Sequence, residues 1–551
     1  MATNWLGLLS IGVFYIIILG TGIWASRKSK RQEKKCSGTC SEVTMVGGRN
    51  LSVCVSVFTM TATWVGGGYI LGNAEIVYNP TKGLVWAIGP IAFVMNLIIG
   101  GLFFIKPIHS KNYVTLMDPF QEKYGQTVGA VLFIPALLGD ILWVACVLGA
   151  LGGTVSVVMD IHPSMSVGIS AAVAVLYTLM GGLYSVAYTD VIQLSFMLIG
   201  LWLCVPFILI SPHSANFTIA AVSKLHQEPW IGKLELEDIG CWIDELLLLG
   251  IGGICYQAFY QRVLSIATHT KARTTCFAAA ALCPILGIPS LIIGAVAAST
   301  NWNQTTYGSP SPYEEGKAGM ILPIALQHLC PFYISVIGVG ALAAAVMSSA
   351  DSALLSSSSY LGRNIFKNAS EKSIVVVIKV SVVLCGLMGA GLAMISKSVH
   401  LFWIISADVL YSMMTPQVIC MFFLPQRVNK YGACCGFVLG LLLRTLVGEP
   451  LIGLPDVLPL PWDKIQEEGH RYRLFPFRTG IMLINTGIIL LISQLTQRLS
   501  LREKSFLKSN PKTDCNIHYV AAVKSDVEDN ETLIPEKPTS VLSLRHNSST
   551  S

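Results

Sequence analysis

The sequence predicts an all-α polytopic membrane protein with two inverted five-helix repeats, and three observations predict it. The 551 residues are 53% hydrophobic and only 12% charged, with mean hydropathy +0.62. Soluble domains carry about a quarter charged residues, so such a chain cannot cover a water-facing surface. Apolar windows of about 20 residues, the length that crosses a hydrocarbon core, recur thirteen times. Finally, two glycine clusters interrupt two of these windows at matching places: Gly66, Gly67 and Gly68 in TWVGGGYI, and Gly250, Gly252 and Gly253 in GIGGICY.

The first window, 6–25, has no basic residue before it and a dense cluster after it: Arg27, Lys28, Lys30, Arg31, Lys34 and Lys35. That is the reverse of a cleaved signal peptide, and because positive charge stays cytoplasmic the N-terminus is expected outside. Five windows follow at 48–72, 83–105, 128–158, 165–185 and 188–211, then five more at 240–261, 272–298, 318–356, 373–395 and 399–424. The run 318–356 is long enough to hold an extra surface helix. Two last windows, 431–447 and 474–495, leave the C-terminus in the cytoplasm. Lys106 and Lys111, then Arg262, Lys271 and Arg273, then Arg363, Lys367 and Lys372, then Arg427 and Lys430 all fall on the inside loops of this count. The sequons at Asn216 and Asn303 fall outside and Asn368 inside; Asn303, in a polar loop with turn residues, is the expected glycosylation site.

Residues 1–497 therefore read as one transmembrane domain, with repeats at about 48–211 and 240–424, and 498–551 as a disordered cytoplasmic tail rich in Lys, Asp, Ser, Asn and Pro. Within the tail Asp529-Asn-Glu-Thr-Leu533-Ile534 has the spacing of an acidic dileucine signal, which endocytic adaptors read; a chance match in a low-complexity tail explains it equally well. The net charge of +6 lies in short clusters between apolar runs, so nucleic acid is not an expected partner, whereas membrane lipid is. Fifteen scattered cysteines, with Cys36 and Cys40 lacking a second pair, argue against a zinc site. No Ser/His/Asp set, metal-ligand spacing or phosphate loop stands out, so the chain is not expected to be an enzyme.

With the first window set aside, each glycine cluster lies in the first helix of a set of five, and the two helices run in opposite directions. Interrupted helices at corresponding positions of inverted repeats point to a transporter's central site. Unwound backbone bares N–H and C=O groups that hydrocarbon punishes unless they line a cavity. One cluster alone would be read first as close helix packing; two symmetric clusters beside aromatics reverse that reading. Trp64 and Tyr69 flank the first, and Tyr256, Phe259 and Tyr260 the second, with Trp86, Phe93 and Trp143 in neighbouring windows. Ring faces hold quaternary ammonium groups, which offer no N–H to a carboxylate. Asp140, Asp190, Asp244, Glu245, Asp351, Asp408 and Glu449 lie in or beside apolar runs, where a charge is costly and functional by default. Ser348 and Ser349, near Asp351 in AAAVMSSADSALLSSSS, offer oxygens of the kind that hard cations such as sodium prefer.

FTMTATWVGGGYI at 58–70, VTLMDPFQEKYG at 114–125, MGGLYSVAYTDVIQL at 180–194, YQRVLS at 260–265, NWNQT at 301–305 and AAAVMSSADS at 343–352 are long matches. On them the chain resembles the sodium/solute symporter family, and within it the branch that carries choline. The resemblance runs from the first window to the thirteenth and implies a LeuT-type 5+5 fold with one extra helix before and two after. It implies sodium-coupled, chloride-dependent choline uptake that supplies acetylcholine synthesis, at the plasma membrane of presynaptic terminals and their recycling vesicles. Sodium would sit among Val57, Met60, Ala345, Ser348 and Ser349, and choline among Trp64, Phe93, Trp143 and Tyr256. Asp190 matches an acid tied to cation coupling, with Asp244, Asp351 and Glu449 as further coupling candidates. The choline branch has Trp where this chain has Tyr256 and Tyr where it has Phe93, so another small amine or organic solute stays open as cargo. So does a solute-gated sensor or channel on the same fold. A second copy of the chain is a candidate partner.

Overall fold

The computed structural model describes residues 12, 16–17, 19–28, 40–111, 113–180, 182–212, 230–365, 369–395, 398–449, 453–465 and 471–509. Two units are distinguished, Met1–Ser493 and Gln494–Ser551; within the second, the described stretch Gln494–Ser509 is helical. Half of the first apolar window lies outside the described residues, as do Lys30, Arg31, Lys34, Lys35, Asn216, Asn368 and the dileucine stretch at Asp529, Leu533 and Ile534.

In chain order the helices are α1 (Cys40–Val46), α2 (Val53–Trp64), α3 (Gly67–Tyr78), α4 (Leu84–His109), α5 (Asp118–Tyr124), α6 (Gln126–Met159), α7 (Pro163–Met180) and α8 (Leu183–Ile210). Next come α9 (Ile239–Cys255), α10 (Gln257–Leu264), α11 (His269–Ala298), α12 (Ile321–Leu329), α13 (Phe332–Tyr360) and α14 (Glu371–Ala393). The last are α15 (Val399–Phe423), α16 (Lys430–Val447) and α17 (Phe477–Ser509); a two-stranded hairpin, β1 (Lys464–Ile465) and β2 (Arg471–Tyr472), lies between them. Side-chain oxygens set several starts: Ser52 caps α2, Thr268 α11, Ser370 α14, Ser398 α15 and Asn429 α16. Each satisfies an amide that the start of a helix leaves without an intrahelical partner.

Among the described residues nine helices are long and apolar enough to span a membrane, and two bent pairs bring the count to eleven. The bent pairs are α2–α3, at 47°, and α9–α10, at 52°, which fall at the two windows marked by glycine. The long window 318–356 divides into α12 and α13 at Cys330 and Pro331, so it does hold a second helix, but α12 is largely buried in protein. Burial sorts the spans into layers. The most apolar stretch of α15 is 94% buried and that of α6 78% buried, against 39% for α16 and 28% for α17. The first two are interior helices, and α16 and α17 are peripheral. α6 packs on α13, α14 and α15, α8 on α13, and α3 on α11 and α15, so α3 of the first bent pair is enclosed by protein, whereas the start of α9 keeps Ile239 and Ile243 exposed.

Candidate functional site

Helix α2 stops at Trp64 because Val65 (φ −87°, ψ 72°) and Gly66 (φ −124°, ψ −156°) leave helical space. Any residue adopts the Gly66 backbone; what the glycines supply is room. A Cβ on Gly66 would overlap the Ser349 hydroxyl, one on Gly67 would lie 2.7 Å from the Ala150 methyl, and one on Gly68 2.8 Å from Cys146 Sγ. Gly67 and Gly68 therefore belong to the first turn of α3, not to the break. The second break also differs from the sequence expectation. Gly250 and Gly252 form a π turn at Leu248–Gly252 and Gly253 begins a 3₁₀ turn, so all three remain helical, and the extended residue is Tyr256 (φ −67°, ψ 132°). Such turns carry one residue more or fewer than the α ladder and slacken it without opening it. Asn96 Nδ2 donates to the Gly250 carbonyl at 3.1 Å, and close approach of Tyr411 and Asn96 accounts for the small residues at Gly252 and Gly253.

Where the two breaks face each other, the rings of Trp64, Phe93, Trp143 and Tyr256 converge. Trp64 is the hub, its ring centroid 5.4 Å from Phe93, 5.9 Å from Tyr256 and 6.5 Å from Trp143, while Trp143 and Tyr256 are 5.1 Å apart. They line a hollow of about 20 Å³, room for a water or two. A larger solute enters only as these rings part. Two further rings complete the wall. Tyr69 stacks on Phe93 at 5.0 Å, and Trp403 meets Phe93 edge-on at 5.5 Å. Trp403 went unread in the sequence because its window, 399–424, has no glycine break; the signal was Ser406, Asp408, Ser412 and Thr415 below it, polar spacing that lipid would not accept.

Polar groups pin the cage from behind. The Tyr256 and Ser406 hydroxyls are 2.5 Å apart, Ser406 donates to the Gly139 carbonyl at 2.8 Å, and Tyr69 donates to Cys283 O at 3.0 Å. Trp64 Nε1 is buried without a partner, a free donor at the hollow. Among the described residues no lysine or arginine lines the hollow. Electron-rich ring faces without a competing cation suit an organic cation.

Ser348 and Ser349 of α13 face the end of α2. Ser349 Oγ donates to Ala62 O at 3.1 Å and lies 3.4 Å from Thr63 O; Ser348 Oγ donates to Ala345 O at 2.8 Å. The carbonyls brought to the serines are thus those of Ala62 and Thr63, whereas Val57 O accepts the Thr61 hydroxyl at 2.8 Å. For Met60, buried in the same helix, no hydrogen bond to either serine is found.

The acids divide into separate groups. Asp190 is fully buried on α8, accepts a short hydrogen bond from Thr59 and lies 3.6 Å from the buried Arg262. Asp351 accepts from Thr178 at 3.0 Å, within the field of Arg262. Asp244 and Glu449 sit elsewhere, in a network around two arginines. Arg444 pairs with Asp408 and Glu449 at 2.7 Å each, and Arg478 lies 3.6 Å from both Asp408 and Asp244. This network ties α9, α15, α16 and α17 together. Asn303 is exposed in a 3₁₀ turn after α11.

A sequence profile described as Sodium:solute symporter family matches residues 45–440. The chain is 47% identical over 507 residues to the high affinity choline transporter 1 of Homo sapiens, covering 91% of this chain and 86% of that one. It is 41% identical over 511 residues to the high-affinity choline transporter 1 of Caenorhabditis elegans, covering 90% and 86%. A solved structure of a Na+-coupled sialic acid symporter, substrate-bound and outward-open, superposes with TM-score 0.68 over 89% of this chain and 98% of that one, at 17% identity.

Proposed function

The chain belongs to the sodium:solute symporter family, and from that premise we propose that it is a sodium-coupled carrier of choline at the plasma membrane. The observation that carries the proposal is the wall of Trp64, Phe93, Trp143 and Tyr256, closed where two bent spans meet. Desolvated cation–π contacts are worth roughly 2 kcal/mol, and the free Trp64 N–H offers the solute's hydroxyl a donor.

In this reading sodium binds near Ala345, Ser348 and Ser349 with the carbonyls at the end of α2, and links the bent span to α13. That linkage stabilises the state in which the cage is assembled, and rocking of one repeat against the other exposes it to the far side. Coupling requires that each ligand bind the two states differently. One charge through ~60 mV is worth ~1.4 kcal/mol. A tenfold sodium gradient adds about as much, so one sodium concentrates solute on the order of a hundredfold. Thirteen spans, an outside N-terminus, an inside C-terminus, chloride dependence, supply of acetylcholine synthesis in presynaptic terminals and adaptor binding at the tail complete the proposal. Glu449 and Asp244, held by Arg444 and Arg478, take a structural part in it, and Asp190 and Asp351 the coupling part.

The test is uptake of radiolabelled choline by cells expressing the chain, with sodium and then chloride replaced. Sodium-dependent uptake is expected. Sodium-independent flux, or currents far above the solute flux, would favour a channel. Competition by betaine, carnitine and sugars identifies any other cargo that Phe93 and Tyr256 admit.

A further inference from the structure

Six acids are buried within the described spans: Glu75, Asp140, Asp190, Asp244, Asp351 and Asp408. Five have their charge answered. Arg262 faces Asp190 and acts on Asp351, and Arg444 and Arg478 hold Asp408 and Asp244. Glu75 accepts the His400 amide at 3.1 Å and the Ser398 hydroxyl at 2.6 Å, at the N-terminus of α15, where the helix dipole is positive. Asp140 is different. Its Oδ2 accepts the Ser356 hydroxyl at 2.6 Å; like Asp190 Oδ1 and Asp351 Oδ2 its Oδ1 has no partner, but unlike theirs its charge is answered by no cation among the described residues.

Its position relates it to the hollow. Asp140 precedes Trp143 by three residues on α6, which puts both on one face, a turn apart. The carbonyl of its neighbour Gly139 receives Ser406, which meets the Tyr256 hydroxyl. Two rings of the cage, Trp143 and Tyr256, therefore stand on or beside the residues that carry this carboxylate.

We propose that Asp140 is the fixed counter-charge that makes the hollow select an organic cation over a neutral solute of the same shape. This rests on the choline reading above. An unanswered carboxylate inside hydrocarbon is costly, and a cation arriving among the rings answers it without touching it. Asp140 is a specificity residue acting through space; the rings make the contact.

The test compares choline with its uncharged carbon isostere, 3,3-dimethylbutan-1-ol, as displacers of radiolabelled choline from sodium-loaded membranes of expressing cells. Two unit charges roughly 10 Å apart at an effective dielectric of 20 interact strongly enough to change affinity on the order of tenfold. Asp140→Asn keeps the shape and the acceptor for Ser356. It is expected to weaken choline about tenfold, leave the alcohol unchanged, and so shrink their ratio about tenfold; Asp140→Glu should keep the ratio. Equal weakening of both displacers, or no change in either, overturns the proposal. Ser356→Ala removes the hydrogen bond and keeps the charge, so it should keep the ratio even if Asp140→Asn is poorly made; a tenfold fall there overturns it too. Failure of the unmodified chain to bind choline at all would instead remove the reading on which the proposal stands.

Discussion

Gly66→Ala tests whether the first break is built for close approach rather than for flexibility. The Gly66 backbone, at φ −124° and ψ −156°, is extended and open to alanine, so no backbone strain arises. The whole effect is the new methyl meeting the Oγ and Cβ of Ser349, a side chain with 1% of its surface exposed. Overpacking of this kind costs about 1–3 kcal/mol, or about fivefold to a hundredfold in an equilibrium. To relieve it the Ser349 hydroxyl must leave Ala62 O and Thr63 O, now at 3.1 and 3.4 Å. Those are the oxygens proposed to hold sodium, so the sodium half-saturation of choline uptake should rise within that range. The assay is a sodium titration of uptake, normalised to surface protein by biotinylation. Gly168→Ala on α7 is the control, since a Cβ there meets nothing within 4 Å; it should be neutral or stabilising by up to ~1 kcal/mol. Gly66→Ala combined with Ser349→Gly should restore surface protein but not sodium sensitivity. A Gly66→Ala chain that titrates like the parent would refute the reasoning.

Trp64→Leu should raise the half-saturation for choline about thirtyfold, the equivalent of a desolvated cation–π contact worth about 2 kcal/mol; unchanged half-saturation removes Trp64 from the site. Arg262→Met leaves buried Asp190 and Asp351 unanswered and should destabilise by about 3–5 kcal/mol, seen as early loss of the monodisperse peak after heating in detergent. Adding Asp190→Asn should recover part of that loss, and parent-like melting of Arg262→Met would contradict the buried pair. Asn303→Gln should abolish the mobility shift that enzymatic deglycosylation produces in the parent; a parent insensitive to deglycosylation would contradict an outside position for the loop after α11.

Hydropathy and punctuation made much of the fold legible. Windows long enough to span recur because hydrocarbon demands them, and glycine clusters marked both bent spans because few other residues let helices approach so closely. Trp64 and Tyr256 were legible by their places beside those clusters; Phe93 and Trp143 were named for the cage only by the family resemblance. What sequence could not give was the local geometry of each break. Gly250, Gly252 and Gly253 kept helical hydrogen bonds in π and 3₁₀ turns, and the extended residue is Tyr256, because a ladder that slackens by one residue has no signature in composition. Nor could it sort the acids. Asp190 and Asp244 look alike in an apolar run, yet one faces Arg262 and the other Arg478.

The sequence by itself determined that this chain is a bundle of membrane helices with two interrupted spans. That follows from single-residue transfer free energies and backbone preferences, which need no partner to be known. Only the tertiary structure decided which ring meets which, that Trp403 joins them, which carbonyls face Ser349, and that among the described residues no cation pairs with Asp140. Those are relations between residues far apart in the chain, fixed by how helices pack, and no local pattern carries them.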